Sequence, residues 1–235
     1  MTELDRMTVQ PPQREGDAAT SGPPSWPLWP FLAALVAAPV LALVGLALEP
    51  SGAYGSERAM VEAYVGSPDR VDLQATGLHL GYVLAGFGLF GAGATVRGRG
   101  RGLAMSGGLL SLLGFGFMSS FLLMDWVTVA VAEEAGVDAM LAADERMGGV
   151  GFVLAWIVPQ MLGLVLGPPL VVAGMVRARM LPAWALLVPV AVVVSSLVSD
   201  SRQWGPYVAF AVYGALGWWI AFVLRRSVSA AAAGR

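Results

Sequence analysis

Three polar side chains stand out because each falls in or beside a long apolar run: His79, Asp125 and Gln160. His79 is the only histidine of the chain. An imidazole facing a carboxylate can relay a proton, hold a ligand or respond to pH near neutrality. Asp125 is the carboxylate placed to meet it. Counted back from the arginine-rich turn at 97–101, His79 lies roughly 27 Å up one helix and Asp125 roughly 33 Å up the next, at about 1.5 Å per residue. A histidine solvated or hydrogen-bonded locally explains the same residue without any chemistry. Gln160 follows Pro159 in the outer half of one apolar stretch, and Gly167-Pro168-Pro169 is expected to interrupt its inner half. Proline frees carbonyls that need partners where water is absent. That stretch can line a path for a polar neutral solute, or it can be a kinked helix pinned by an interhelical glutamine bond.

Most other chemistry is excluded by residue types. One histidine makes neither a bis-histidine haem site nor an HExxH zinc site. With no cysteine there is no disulfide, thiolate metal site, thiol nucleophile or lipidated cysteine. No P-loop, GxSxG or dinucleotide fingerprint occurs, and Gly91-Ala92-Gly93 has no strand before it. The acids Glu133, Glu134, Asp138, Asp144 and Glu145 do not follow an EF-hand pattern and read as solvated. No cofactor, metal or catalytic residue is expected. Arg97, Arg99 and Arg101 alternate with glycine in a tight turn, which suits lipid headgroups and not nucleic acid.

The elements that position these residues follow from composition. Of 235 residues, 57% are hydrophobic and 13% charged, against about 25% charged in soluble domains. So few charges cannot coat a globule in water, whereas hydrocarbon needs no such coat. Six runs have the length and lack of charge of membrane spans: about Leu28–Leu48, Thr76–Val96, Leu103–Met124, Val150–Val176, Ala183–Ser199 and Tyr207–Leu224. The expected fold is an all-α polytopic bundle of six transmembrane helices over 27–226. A disordered tail over 1–26, rich in Pro and Gly, precedes it, and a short tail over 227–235 follows. The first run exceeds the apolar core of a signal peptide and reads as a retained helix. No Asp, Glu, Lys or Arg lies inside any run, which argues against voltage sensing and carboxylate-coupled transport.

Arginine sets the orientation. Arg97, Arg99, Arg101, Arg177, Arg179, Arg225 and Arg226 fall on one face of a six-span layout, with Arg6, Arg14 and Arg235. That face carries ten of the 14 arginines and four of the 16 acids, a formal +6; the other carries −8, and together they give the net −2. The basic face, with both termini, is expected in the cytoplasm of a multi-pass plasma-membrane protein. The loops at 49–75 and 125–149 are then external. Each is expected to carry a short amphipathic helix: one capped by Ser56 and running through Tyr64, the other over Val137–Met147.

Small residues recur at helical spacing. Gly77, Gly81 and Gly88 mark one face of the second run, Gly107 and Gly114 one of the third, and Gly214 and Gly217 one of the sixth. Such faces allow close helix approach in lipid, either within the bundle or between two copies. Trp26, Trp29, Trp126, Trp184 and Trp204 fall near span ends as anchors, and Trp218 and Trp219 sit deeper. A faint repeat pairs Val61-Glu62-Ala63 with Val137-Asp138-Ala139, and Val96-Arg97-Gly98-Arg99 with Val176-Arg177-Ala178-Arg179. Two "helix, acidic helix, helix, arginines" units are the expectation it supports.

The segment His79-Leu80-Gly81-Tyr82-Val83-Leu84-Ala85, the Arg97–Arg101 turn and the glycine-rich third run resemble a broad group of uncharacterised actinobacterial six-span membrane proteins. The resemblance covers most of the chain and implies no activity. The expected function is a non-enzymatic accessory, scaffold or sensor protein, partnered by the bilayer and by another membrane protein or a second copy. The alternative is a small permease or exporter for a neutral or hydrophobic solute.

Overall fold

The computed structural model describes residues 28–53, 55–198 and 205–233. The expected tail over 1–26, Trp26, Trp204, Arg6, Arg14, Arg202, Arg235 and most of the turn around Asp200–Pro206 lie outside the described residues. Among those described, all regular structure is helical: α1 (Trp29–Ala47), α2 (Glu57–Val65), α3 (Pro68–Thr95), α4 (Arg101–Phe121), α5 (Leu123–Ala135), α6 (Val137–Met147), α7 (Val150–Phe152), α8 (Val158–Arg177), α9 (Leu187–Val198) and α10 (Gly205–Ala233).

Local chemistry explains most boundaries. The Ser56 hydroxyl accepts the Ala59 N–H at 3.2 Å and starts α2. Pro68 opens α3, where its missing N–H costs nothing, and Asp69 sits in the first turn. Gly136, at φ 90°, ends α5 and re-aims the chain into α6.

Three expectations change. The loop expected from Asp125 to Gly149 is largely helical. α4 and α5, joined at Leu122, form a rod from Arg101 to Ala135. Val129 and Ala132 of α5 are buried against Val61 and Tyr64 of α2 and Met140 of α6, so tertiary burial extends a helix whose acids read as loop. Second, Gly167-Pro168-Pro169 does not interrupt α8. The distortion lies earlier, in a π-helical turn over Val153–Ile157. Pro159 has no N–H for the Ala155 carbonyl and its ring crowds it, and a wider turn relieves that clash. Among the described residues, five helical segments are long and apolar enough to cross a membrane: Trp29–Ala47, Pro68–Thr95, Arg101–Ala135, Val150–Arg177 and Pro206–Ser227. The run expected over Ala183–Ser199 folds as a 3₁₀ turn (Ala183–Leu186) followed by α9, and its apolar stretch is shorter than those five. Third, the expected tail from 227 is helical as far as Ala233.

The tightest pairs are α1 with α3, α3 with α4, and α4 with α8; α10 packs on α1 and α9, and α9 touches α8. The order around the bundle is therefore α1, α3, α4, α8, α9, α10. Glycine makes the close pairs. A β-carbon on Gly77 would lie 3.0 Å from the Gly45 Cα, one on Gly81 2.9 Å from the Ala42 nitrogen, and one on Gly88 2.9 Å from the Leu35 side chain, all on α1. Gly107 lies against Val171 and Gly167 of α8, and Gly114 against Gly163. Gly214 and Gly217 meet Pro39 and Leu35 of α1. All seven glycines thus face neighbours within this chain.

The outer surface is apolar where the helices are long. Val36, Val40 and Val44 of α1, Leu113 of α4, and Leu154 and Leu162 of α8 are among the exposed side chains. Charge is confined to the two ends. Val96, Met175, Leu181 and Leu224 share one core cluster, which brings the turns bearing Arg97, Arg99 and Arg101, then Arg177 and Arg179, then Arg225 and Arg226, to one end. Helices α2 and α6 cover the other end with the described acids.

Candidate functional site

Apart from Ser111, buried at mid-length of α4, the polar side chains buried in the bundle gather toward the end capped by α2 and α6. His79 is half-buried on α3, and its partner is Ser119 of α4, not Asp125. The Ser119 Oγ lies 2.6 Å from His79 Nδ1 and 3.3 Å from the His79 carbonyl. Either the hydroxyl donates to Nδ1, or Nδ1–H donates to the hydroxyl while the hydroxyl donates to the carbonyl. No hydrogen bond or ion pair joins His79 to Asp125. The reason is rotational. Ser119 is buried on the α3-facing side of α4, whereas Asp125 comes six residues later, which at 3.6 residues per turn places it roughly 120° around from Ser119. Asp125 stands near Tyr64 of α2 and Glu49 after α1: its charge reaches the Tyr64 phenol, and the Glu49 charge reaches both.

A 2.6 Å serine–histidine contact is within general-base distance. Ser119 is 1% exposed, however, and both residues lie inside helices whose N–H groups are committed to their own carbonyls. What this arrangement does is tie α3 to α4, a bond of the kind worth about 0.6 kcal/mol on average in a membrane.

Gln160 is 4% exposed. Its Nε2 donates to the Met118 Sδ at 3.0 Å, and its Oε1 is buried with no partner among the described residues. One turn earlier, the Trp156 Nε1 is also buried without a partner, within an aromatic cluster of Phe117, Phe152 and Phe121. A cavity of ≈ 50 Å³ does exist, but Gln160 is not part of it. It lies mainly between α1, α3 and α10, lined by Pro39, Gly81, Ala85, Tyr213 and Gly214 among others, with Phe115 of α4 and Pro168 of α8 also in its wall, which is almost wholly apolar.

Sequence reasoning missed a second polar knot. Gln74, 2% exposed, donates its Nε2 to the Tyr64 hydroxyl at 3.5 Å, and its Oε1 has no partner. Burial pushes the Tyr64 phenol up, the Asp125 charge adds to this, and the Gln74 bond works against it. Gln74 fell in a segment that reads as loop, so no pattern pointed to it. Ser119 was visible as half of a Ser119-Ser120 pair within an apolar run, and that was the available signal.

Over this knot, α2 and α6 are clamped by an ion pair between Arg58 and Asp138. Arg58 also reaches Glu62 at 4.0 Å. Beside it the Glu57 carboxyl shares a hydrogen bond with Asp144, which holds Glu57 above the usual carboxylate range; the Glu145 charge adds to this. No group of three or more His, Asp or Glu among the described residues is arranged to hold a metal. Arg97, Arg99, Arg101, Arg177, Arg179, Arg225 and Arg226 are all exposed. Comparison of the chain with protein families, curated proteins and solved structures finds no match.

Proposed function

We propose that the chain is an integral membrane protein with six spans, α9 with its preceding 3₁₀ turn being a short fifth, and with α2 and α6 lying on the outer side. The basic end faces the cytoplasm of the plasma membrane. The protein works without catalysis, as an accessory, scaffold or sensor protein that engages a membrane partner or a second copy. The observation carrying this reading is the separation of charge along one axis: seven arginines close one end of an apolar-surfaced bundle, and the described acids close the other. Arginine-rich loops resist translocation, so such an axis has only one favoured direction.

Because the chain has no cysteine, single cysteines at Arg99 and Glu134 report sidedness without background. A membrane-impermeant thiol reagent on intact cells should label position 134 and spare position 99. Labelling of both from outside, or recovery of the chain without detergent, overturns the topology. For the accessory role, extraction in mild detergent followed by native mass spectrometry should show a stoichiometric partner or dimer, and a lone monomer overturns it.

The cavity between α1, α3 and α10 favours a second reading, a permease or exporter for a hydrophobic solute. Its route would run past Pro39 and Gly214 and not past Gln160. Gly214→Leu should then abolish flux in vesicles, and unchanged flux would remove this reading.

A further inference from the structure

We infer that the α3–α4 turn and the α8–α9 turn together form one binding site for the phosphate headgroup of an anionic phospholipid. This rests on the membrane reading above and adds a ligand to it. Two observations carry it.

The first is how the turns meet. Gly98 and Gly100 both take positive φ, 61° and 104°, which reverses the chain within Arg97-Gly98-Arg99-Gly100-Arg101. Gly100 abuts the end of α8: a β-carbon there would collide with the Gly174 carbonyl and lie 3.2 Å from the Ala178 nitrogen. Arg99 and Arg101 are therefore held one residue from a point that Arg177 and Arg179 flank on the other side. Among the described residues no carboxylate lies at this end, and no ion pair is made by Arg99, Arg101, Arg177 or Arg179. Four exposed arginines thus leave the backbone within one residue of this contact with no carboxylate to neutralise them, and the planar fork of a guanidinium matches phosphate oxygens.

The second observation is local strain. Helix α8 ends in a double-bonded turn, Met180 N–H to the Met175 carbonyl at 2.9 Å and Arg179 N–H to the Val176 carbonyl at 2.9 Å. That turn puts Arg179 at φ 60°, the only non-glycine residue with positive φ among those described. Glycine is the residue usually found at this position. An arginine that keeps a left-handed backbone beside other arginines points to a job for its side chain. The lipid source is favoured over free phosphate by what adjoins the turns. Trp184 is 58% exposed and stacked on Trp219 at 4.9 Å, and the exposed Leu187 and Val190 follow. Indole belongs at the headgroup level and the aliphatic face suits an acyl chain.

The test is native mass spectrometry and thermal unfolding of the full chain in neutral detergent. The probes are phosphatidylglycerol, phosphatidylcholine and inorganic phosphate. Phosphatidylglycerol should bind and raise the melting temperature, while phosphatidylcholine and inorganic phosphate do neither. Arg99→Gln and Arg179→Gln should each weaken phosphatidylglycerol binding about fivefold, and Arg146→Gln, at the other end, should leave it unchanged. Arg179→Gly separates ligand from fold: it should raise stability without lipid and still lose lipid binding. Equal binding of phosphatidylcholine, an equal effect of inorganic phosphate, or undiminished binding by Arg179→Gly overturns the site. The sidedness labelling is independent, so the topology can stand when the site fails.

Discussion

Gly114→Ala should be among the most damaging single-methyl changes in this protein. Gly114 of α4 faces Gly163 of α8. A carbon added to Gly114 lies 2.5 Å from the Gly163 Cα and carbonyl carbon and 2.6 Å from the Leu164 nitrogen. Carbon atoms rest at about 3.5–4.0 Å, so the two helices must part by roughly 1 Å. Every atom met is backbone, so no side chain can turn away. The same seam holds Gly107 against Val171 and Gly174 against Ala104, and a gap of about 0.5–1 Å forfeits a quarter to a half of each dispersion contact. Overpacking costs about 1–3 kcal/mol; here the upper end applies, about 3 kcal/mol. Gly116→Ala, two residues along the same helix, meets nothing within 4 Å. It should be neutral or stabilise by about 0.5–1 kcal/mol through helix propensity. The two variants should thus differ by about 4 kcal/mol, summing those two estimates. Denaturant titration in mixed micelles, followed by tryptophan fluorescence, measures it. If Gly114→Ala unfolds with the parent, or Gly116→Ala falls as far, the glycine-seam argument is wrong.

Three further outcomes follow from the polar groups. A double-mutant cycle of His79→Leu and Ser119→Ala should give a coupling of about 0.6 kcal/mol, and at most about 1.7; zero coupling would show that the two side chains do not meet. Gln160→Leu removes an unpartnered buried carbonyl and a weak bond to sulfur, so stability should be unchanged or rise; a clear loss would reveal a partner for Oε1. The contribution of Glu57 to the docking of α2 on α6 should grow on acidification, whereas that of the Arg58–Asp138 pair does not. Glu57 has a raised pKa in the docked state, so its contribution is full below its ordinary value near 4.5 and fades as pH rises through the raised value. Amide exchange in α2, corrected for intrinsic rates, should gain more protection on acidification in the parent than in Glu57→Gln, and an equal pH dependence in the two would refute the assignment.

The two deeper corrections have one cause. Loop and helix look alike in a segment such as Trp126–Ala135, where acids follow apolar residues, and only the presence of α2 and α6 overhead buries Val129 and Ala132 enough to keep it helical. His79 and Asp125 matched in height along their helices, yet height is only one coordinate. Six helical residues set Asp125 roughly 120° around from Ser119, and rotation decides which residue meets the imidazole.

By itself the sequence determined which stretches are apolar and helical, that Ser56 caps α2, that glycine faces exist, and that arginine and acid fall to opposite ends. These follow from side-chain solvation, backbone freedom and period, which are local. Tertiary structure alone decided what each glycine face meets, that Ser119 holds His79, that Gln160 lies off the cavity, and that the two arginine-bearing turns meet. Those depend on how rods rotate and cross, and the crossing is set by packing between residues far apart in the chain.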